Sequence, residues 1–208
     1  MAAVASVAAL STLYRGIITL RRLEVVEAER DDWQRPVDVV RSLDVAEGAV
    51  VAEIGCGAGY FALKLSRAVG PRGWVLAEDV RWLPLLFLRV RTVLQGRRNL
   101  RIVRGSVDDP RLPAGGLDAV LIANTYHELT DPRAILDRSF RALRPAGRLV
   151  VVDPSPGGGR DIAVHHRATP DEAEGRLRQA GFVIAHRDDR FIADGGGYEW
   201  WLIVARKP

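Results

Sequence analysis

The stretch Val50-Val51-Ala52-Glu53-Ile54-Gly55-Cys56-Gly57-Ala58-Gly59-Tyr60 restricts the fold more than any other part of this chain. Val50 to Ile54 is a short, mostly apolar run of the kind shown by a strand buried on both faces. Three glycines at alternate positions break it, and Phe61-Ala62-Leu63-Lys64-Leu65 resumes with helical spacing. The order is strand, tight turn, helix. Glycine is needed where the chain reverses and leaves bare backbone within reach of a ligand. The amides that open the following helix favour an anionic group such as a carboxylate or a phosphate.

A dinucleotide fingerprint, Gly-x-Gly-x-x-Gly, would need glycine at 55, 57 and 60. Position 60 is Tyr, which disfavours a nucleotide-binding oxidoreductase. The pattern present, Glu-x-Gly-x-Gly-x-Gly, resembles the first motif of the class I S-adenosylmethionine-dependent methyltransferases. Gly70-Pro71-Arg72-Gly73 and a second strand-like run from Trp74 to Ala77 follow, ending in Glu78-Asp79. In folds of this kind an acid at the tip of the second strand holds ribose hydroxyls. The segment Trp33-Gln34-Arg35-Pro36, just upstream, is similar to one in a subset of small bacterial methyltransferase-like sequences, in which the N-terminal segment folds over the cofactor.

With 208 residues and a 48% hydrophobic share, the chain can bury a real core in one ordinary domain. Its formal charge is +4, and lysine occurs only at 64 and 207, so the basic residues are almost all arginine. A pI near 9.7 raises the question of a polyanionic partner. The arginines of the N-terminal part are interspersed with acids, as in Arg21-Arg22 followed by Glu24, Glu27 and Glu29, so a solvated surface is favoured over a nucleic-acid face. The single Cys56 excludes an internal disulfide and fits a reducing, cytoplasmic setting. Met1 to Leu20 is apolar apart from Ser, Thr and Arg15, but lacks the leading positive charge of a signal peptide. Arg15 also cuts the run short of the ~20 apolar residues a membrane span needs. Residues 1–29 therefore read as a helical extension that caps the domain, meets a partner or touches a membrane surface, and 30–208 as the methyltransferase domain.

Downstream, Pro36 to Val45 reads as a short helix, Arg81 to Gln95 as a longer one with Pro84 in its first turn, and Leu100 to Arg104 as the third strand. Leu117 to Ala123 gives a strong fourth strand, and Asp131-Pro132 opens a helix through Leu143. Arg144-Pro145-Ala146-Gly147, a Pro-x-Gly turn similar to another landmark of the family, leads to the fifth strand, Arg148 to Asp153. Thr169-Pro170-Asp171-Glu172 starts the last helix. Phe182–Arg187 and Tyr198–Arg206 form the closing strand pair, joined through Asp188–Gly197. The expected fold is α/β, Rossmann-like and doubly wound, with a seven-stranded, mostly parallel sheet and an antiparallel last strand.

The resemblance implies S-adenosyl-L-methionine as the cofactor and transfer of its methyl group to a nucleophilic oxygen or nitrogen, most simply on a small molecule. Carried over residue by residue, the cofactor set is Glu53, Gly55, Cys56, Gly57, Gly59 and Tyr60 from the turn, Asp79 and Val80 from the second strand, Ser106, Val107 and Asp108 after the third, and Asn124 after the fourth. The family's adenine-reading acid after strand three falls on Ser106, so the contact passes to the Val107 backbone or to Asp108. Cys56, between two glycines, is either covered by bound cofactor or packed inward. Ligands in open α/β sheets sit beyond the carboxyl ends of the strands. His127, directly after strand four, is therefore the first candidate for the base that takes the acceptor's proton. His165 and His166, after strand five, are its rivals, and Tyr126 is a candidate to orient the acceptor. Asn124-Thr125-Tyr126-His127 departs from the Asn/Asp-Pro-Pro-aromatic motif of the enzymes that methylate nucleobase or glutamine nitrogen. Metal-dependent catechol-type relatives want carboxylates after strands four and five; Asp153 could serve but Asn124 is a poor substitute, so no metal is expected. A domain that binds the cofactor and acts as a regulatory or interaction module, without turnover, fits the same motifs.

Overall fold

A computed structural model describes residues 2–156, 168–193 and 199–208, except for the side chains of 2–15 and 17. The chain divides into two compact units, Met1–Arg35 and Pro36–Pro208. The first is a single helix, α1 (Ala2–Trp33). It runs four residues past the expected end at 29. No Gly or Pro falls between Ile17 and Arg35 to stop it, and Arg30 Nε donates to Gln34 Oε1 at 2.8 Å, continuing the i, i+4 spacing. Among the described residues no helix is long and apolar enough to cross a membrane.

The second unit begins with α2 (Pro36–Ser42) and β1 (Val50–Ile54). Then come α3 (Tyr60–Ala68), β2 (Trp74–Asp79), α4 (Trp82–Leu94), β3 (Leu100–Arg104) and β4 (Leu117–Ala123). A 3-10 turn at Tyr126–Glu128 precedes α5 (Pro132–Ala142), β5 (Leu143–Pro154), α6 (Pro170–Gln179), β6 (Val183–Ala193) and β7 (Glu199–Arg206). The seven strands form one sheet in the order β3-β2-β1-β4-β5-β7-β6. β7 runs antiparallel to both of its neighbours, while β1 to β5 pair in parallel. After β3 the chain crosses back over β1 to lay down β4. The carboxyl ends of β1 and β4 thus form the switch point where such sheets take their ligands.

Local chemistry explains the helix starts. Asp131 accepts the Ala134 N–H at 2.9 Å, and Thr169 with Glu172 forms a reciprocal capping box, each a device that satisfies orphan amides. At the far end of α5, Lys207 Nζ donates to the Phe140 and Leu143 carbonyls at 2.8 and 2.7 Å. The central strands are almost wholly buried, as parallel strands covered on both faces must be. Trp201, fully buried on β7, anchors the far side of the core and meets the Tyr126 ring edge-on at 5.9 Å.

Two expectations about the strands need correction. β5 starts at Leu143 rather than Arg148, because the Pro-x-Gly segment is a bulge and not a free turn. Leu117 pairs with Leu143, the register then slips to Ala119 with Arg148, and Ala146 sits at φ 63°. Lys207 stitches the bulge to the C-terminus, through Ala146 N to Lys207 O at 3.0 Å and Lys207 N to Gly147 O at 2.9 Å. β6 runs on from Arg187 to Ala193, where a connecting loop was expected. Ile192 and Ala193 pair with Trp200 and Glu199 after a register shift, and the buried Phe191 and Ile192 supply the apolar side chains that hold it.

Candidate active site

The glycine turn is held by backbone geometry that only a few residues tolerate. Gly55, Gly57 and Gly59 have φ of 72°, 54° and 95°. A Cβ on Gly55 would land on the Thr125 side chain, and one on Gly59 on Leu88, whereas one on Gly57 would meet nothing within 4 Å. Gly55 and Gly59 are thus fixed by packing, and Gly57 leaves bare backbone facing open space. Thr125 Oγ1 donates to the Gly55 carbonyl at 3.2 Å, tying the end of β4 to the turn after β1.

Asp79, at the tip of β2, is 2% exposed and reaches back to this turn. Its Oδ2 accepts the Gly57 N–H at 2.9 Å, and its Oδ1 accepts the Arg81 N–H at 2.8 Å and Nε–H at 3.2 Å. Oδ2 also accepts from Arg81 Nη2 at 3.4 Å, the longest of the four contacts, so a hydroxyl in the cavity that Asp79 lines would compete with the exposed Arg81 side chain for this carboxylate. That cavity holds about 600 Å³, part of it open to solvent. Val80 and Val107, exposed by 42% and 54%, stand at its edge on the loops after β2 and β3. Two apolar side chains of this kind suit the faces of a planar base. Ser106 also lines the cavity, with its hydroxyl directed to Asp108 Oδ1 at 2.8 Å.

Glu78 was not expected in the site, yet it lines the same cavity at 2% exposure. Alternation along β2 turns it away from Asp79, toward Gly105, where a Cβ would strike its carboxyl. Burial pushes Glu78 up to about 7, against hydrogen bonds from the Gly55 and Gly105 backbone that favour its ionised form.

Other expected contacts lie elsewhere. Glu53 is buried inside β1, away from the lining of that cavity. Tyr60 packs inward on α3, edge-on to Phe61 at 4.8 Å with Lys64 over its ring. Cys56 is 4% exposed, its Sγ directed to the Gly57 carbonyl at 3.6 Å. Burial, seconded by Glu53, pushes that thiol far above its ordinary range, so the inward-packed alternative describes it. Asp108 bonds to Ser106 and does not line the cavity. Asn124 adopts φ 54°, a conformation Asn tolerates, and its Oδ1 is buried without a hydrogen-bond partner among the described residues.

Beyond β4 and β5 the geometry is built from side chains. His127 Nδ1 lies 3.0 Å from Asp153 Oδ2 and 3.1 Å from Oδ1, and the His127 backbone N–H donates to Oδ2 at 3.0 Å. The two side chains are 6% and 0% exposed. Burial raises the Asp153 carboxyl, and the bonds from His127 pull it back toward ionisation. With an ionised Asp153 at Nδ1, the proton of a neutral ring belongs on Nδ1 and the lone pair on Nε2. Nε2 is 3.8 Å from Glu128 Oε1. Asp153 is the part of this dyad that the sequence does not reveal, because no spacing rule pairs it with His127 across 26 residues. Tyr126 is 1% exposed in the core, where burial raises its phenol and the Arg176 guanidinium lowers it. His165 and His166 lie outside the described residues. Among the described residues no group of three His, Cys, Asp or Glu could hold a metal ion.

A family model described as a methyltransferase domain matches residues 51–147, the segment that carries the glycine turn, Asp79 and the 3-10 turn of His127. Residues 51–147 thus belong to a methyltransferase domain, similar to those of the class I S-adenosylmethionine-dependent family. It is 25% identical over 131 residues to a demethylmenaquinone methyltransferase of Lactococcus lactis, covering 63% of this chain and 52% of that protein. To the nocamycin O-methyltransferase of Saccharothrix syringae it is 28% identical over 135 residues, covering 64% and 48%. A ubiquinone/menaquinone biosynthesis C-methyltransferase of Hahella chejuensis is 34% identical over 110 residues, covering 52% and 44%. The chain thus spans about half the length of these curated relatives. In fold it is similar to an S-adenosylmethionine-dependent methyltransferase of Aquifex aeolicus, with TM-score 0.73 and 24% identity over 83% of this chain and 89% of that one. The [4+2]-cyclase SpnF matches as well in fold, with TM-score 0.73 and 17% identity over 84% and 80%. The methyltransferase fold thus accommodates more than one chemistry, and activity must be argued from the site.

Proposed function

We propose that the second unit transfers the methyl group of S-adenosyl-L-methionine to a small-molecule acceptor. The observation that carries this reading is the tie between the Asp79 carboxylate and the bare Gly57 amide beside a cavity edged by Val80 and Val107. These residues fit the cofactor: Asp79 for the ribose hydroxyls, Val80 and Val107 for the faces of the adenine, the Val107 backbone for its edge, and the turn at Gly55–Gly59 for the amino-acid part. When bound, the cofactor supplies an electrophilic methyl group, and the protein's task is alignment and proton management.

On the acceptor side His127 takes the proton. Asp153 is its positioning residue: it fixes the Nδ1–H tautomer, leaves the lone pair on Nε2 and stabilises the imidazolium that forms. A base of this kind serves any acceptor whose nucleophile carries a removable proton. Oxygen and nitrogen were the atoms expected from the sequence; the names of the curated relatives, which include a C-methyltransferase, add an activated carbon. The small-molecule class draws its support from the same names.

The test has two arms. Calorimetry should register S-adenosylmethionine and its demethylated product but not NAD. Methyl-labelled cofactor incubated with the chain and fractionated small-molecule extract should then label a product that the His127→Ala variant fails to label. Cofactor binding with no labelled product in any fraction would overturn turnover and leave a binding module. No binding would overturn the cradle itself.

A further inference from the structure

The outer face of α4 is built unlike any other described helix surface in the second unit. Trp82, Leu83, Leu86, Val90, Val93 and Leu94 are exposed by 60, 48, 49, 39, 75 and 72%. At 3.6 residues per turn these six fall within roughly 120° of arc, one continuous apolar stripe along three turns. The opposite side of α4 carries Leu85, Leu88, Arg91 and Thr92, all buried, so the helix is already anchored without its outer face. An unpartnered apolar stripe of this extent calls for a covering surface.

The charges around the stripe say what that surface is. Between Val80 and Val107 the sequence has arginine at 81, 89, 91, 97, 98, 101 and 104 and no Asp, Glu or Lys. Arg81, Arg89, Arg98, Arg101 and Arg104 are exposed, and Arg89 falls at the margin of the stripe. Arg101 and Arg104 lie on β3, the edge strand next to which α4 packs, and Arg101 stacks over Trp74 at 4.8 Å. A second copy of this chain would set arginine against arginine across a two-fold axis, with no acid within the segment to compensate. Single-stranded nucleic acid would want a platform of aromatic faces, and the stripe is aliphatic except for Trp82. Aliphatic side chains in a row, a tryptophan at one end, an arginine at the margin and no acid in the segment are the composition of a helix that lies in an anionic lipid headgroup layer.

We propose that the α4 face, with the exposed Arg89 on α4 and Arg98 just after it, docks the second unit on an anionic lipid surface. The stripe sinks into the headgroup–acyl boundary while the guanidinium groups meet lipid phosphates and carboxylates. Val80 and Arg81, which line the cofactor cavity, directly precede Trp82, so the docked face adjoins the mouth of that cavity.

The full chain should co-sediment with vesicles of phosphatidylcholine plus phosphatidylserine, more weakly as salt rises, and should bind phosphatidylcholine alone poorly. Tryptophan emission should shift to the blue on binding, and most of that shift should vanish in Trp82→Phe. Leu86→Glu combined with Val93→Glu replaces two exposed side chains; it should leave melting temperature and cofactor affinity unchanged and lower vesicle binding by roughly tenfold or more. The pair Arg89→Glu and Arg98→Glu should do the same through charge alone. All variants retain α1, so vesicle binding as strong in the double variants as in the parent chain would overturn the proposal. So would equal binding to the two kinds of vesicle. A concentration-dependent dimer, or a complex with an RNA oligomer, that disappears in the Leu86→Glu and Val93→Glu chain without any vesicle binding would likewise overturn it.

Discussion

The two halves of the switch point hold their chemistry by different means. On the β1–β3 side the groups are backbone amides, a strand-tip acid and two valines, all within a few residues of a glycine turn or a strand end. On the β4–β5 side the working pair is His127 and Asp153, two buried side chains separated by 26 residues and joined only by the sheet. A cradle of backbone can lose one side chain and still bind. A dyad of side chains loses its function with either member. The expected effects of substitution therefore differ in kind as well as in size.

The largest effect belongs to the dyad. His127→Ala should cut turnover by roughly 10²–10⁴-fold while cofactor affinity barely moves, because the cradle is untouched. Asp153→Asn should approach the same loss by favouring the wrong tautomer, and the acidic limb of the pH–rate profile should change with it. Full turnover in His127→Ala would break the comparison by removing the acceptor half from the chemistry.

Asp79→Ala comes next. It removes the acceptor of the Gly57 amide as well as the proposed ribose partner, so affinity for S-adenosylmethionine should fall roughly tenfold to a hundredfold, with turnover of the saturated enzyme largely kept. Calorimetry on the variant decides the matter. Equal affinity would mean that backbone alone holds the cofactor.

Glu78 sharpens the contrast through stability. Its folded-state value of about 7 lies above its ordinary value of 4.5, so the folded chain binds the extra proton between those limits. Its contribution to stability is complete below the unfolded value and is lost as pH rises through about 7, by on the order of 3 kcal/mol at most. Glu78→Gln should remove that decline. Thermal melts across pH 4 to 8 check it (about the range spanned by the two values), and a parallel decline in both proteins would show that Glu78 titrates normally.

Cys56 gives the smallest effect. Buried and raised, it should react slowly with a thiol reagent whether or not cofactor is present, and quickly once the chain is unfolded. Fast labelling that S-adenosylmethionine suppresses would return the thiol to the ligand side of the turn.

Much of this was legible in the sequence, and for identifiable reasons. A buried parallel strand needs a continuous apolar run, the reversal after it needs φ above zero, and Thr169 to Glu172 spells a capping box; each of these requirements is met within a few residues of chain. The sequence alone therefore determined β1, the glycine turn, the acid at the tip of β2, the helix starts and the single antiparallel strand. Three features became visible only in three dimensions. The bulge in β5 depends on how the C-terminus pairs with residues 146 and 147. The inward aim of Tyr60 and Cys56 depends on which side of a short turn meets the core. His127 meets Asp153 because the register that pairs Ala123 with Val152 brings the ends of β4 and β5 level. Backbone conformation is chosen residue by residue, so local chemistry writes it directly; a contact between side chains 26 positions apart exists only after the sheet has fixed which strands are neighbours and in what register.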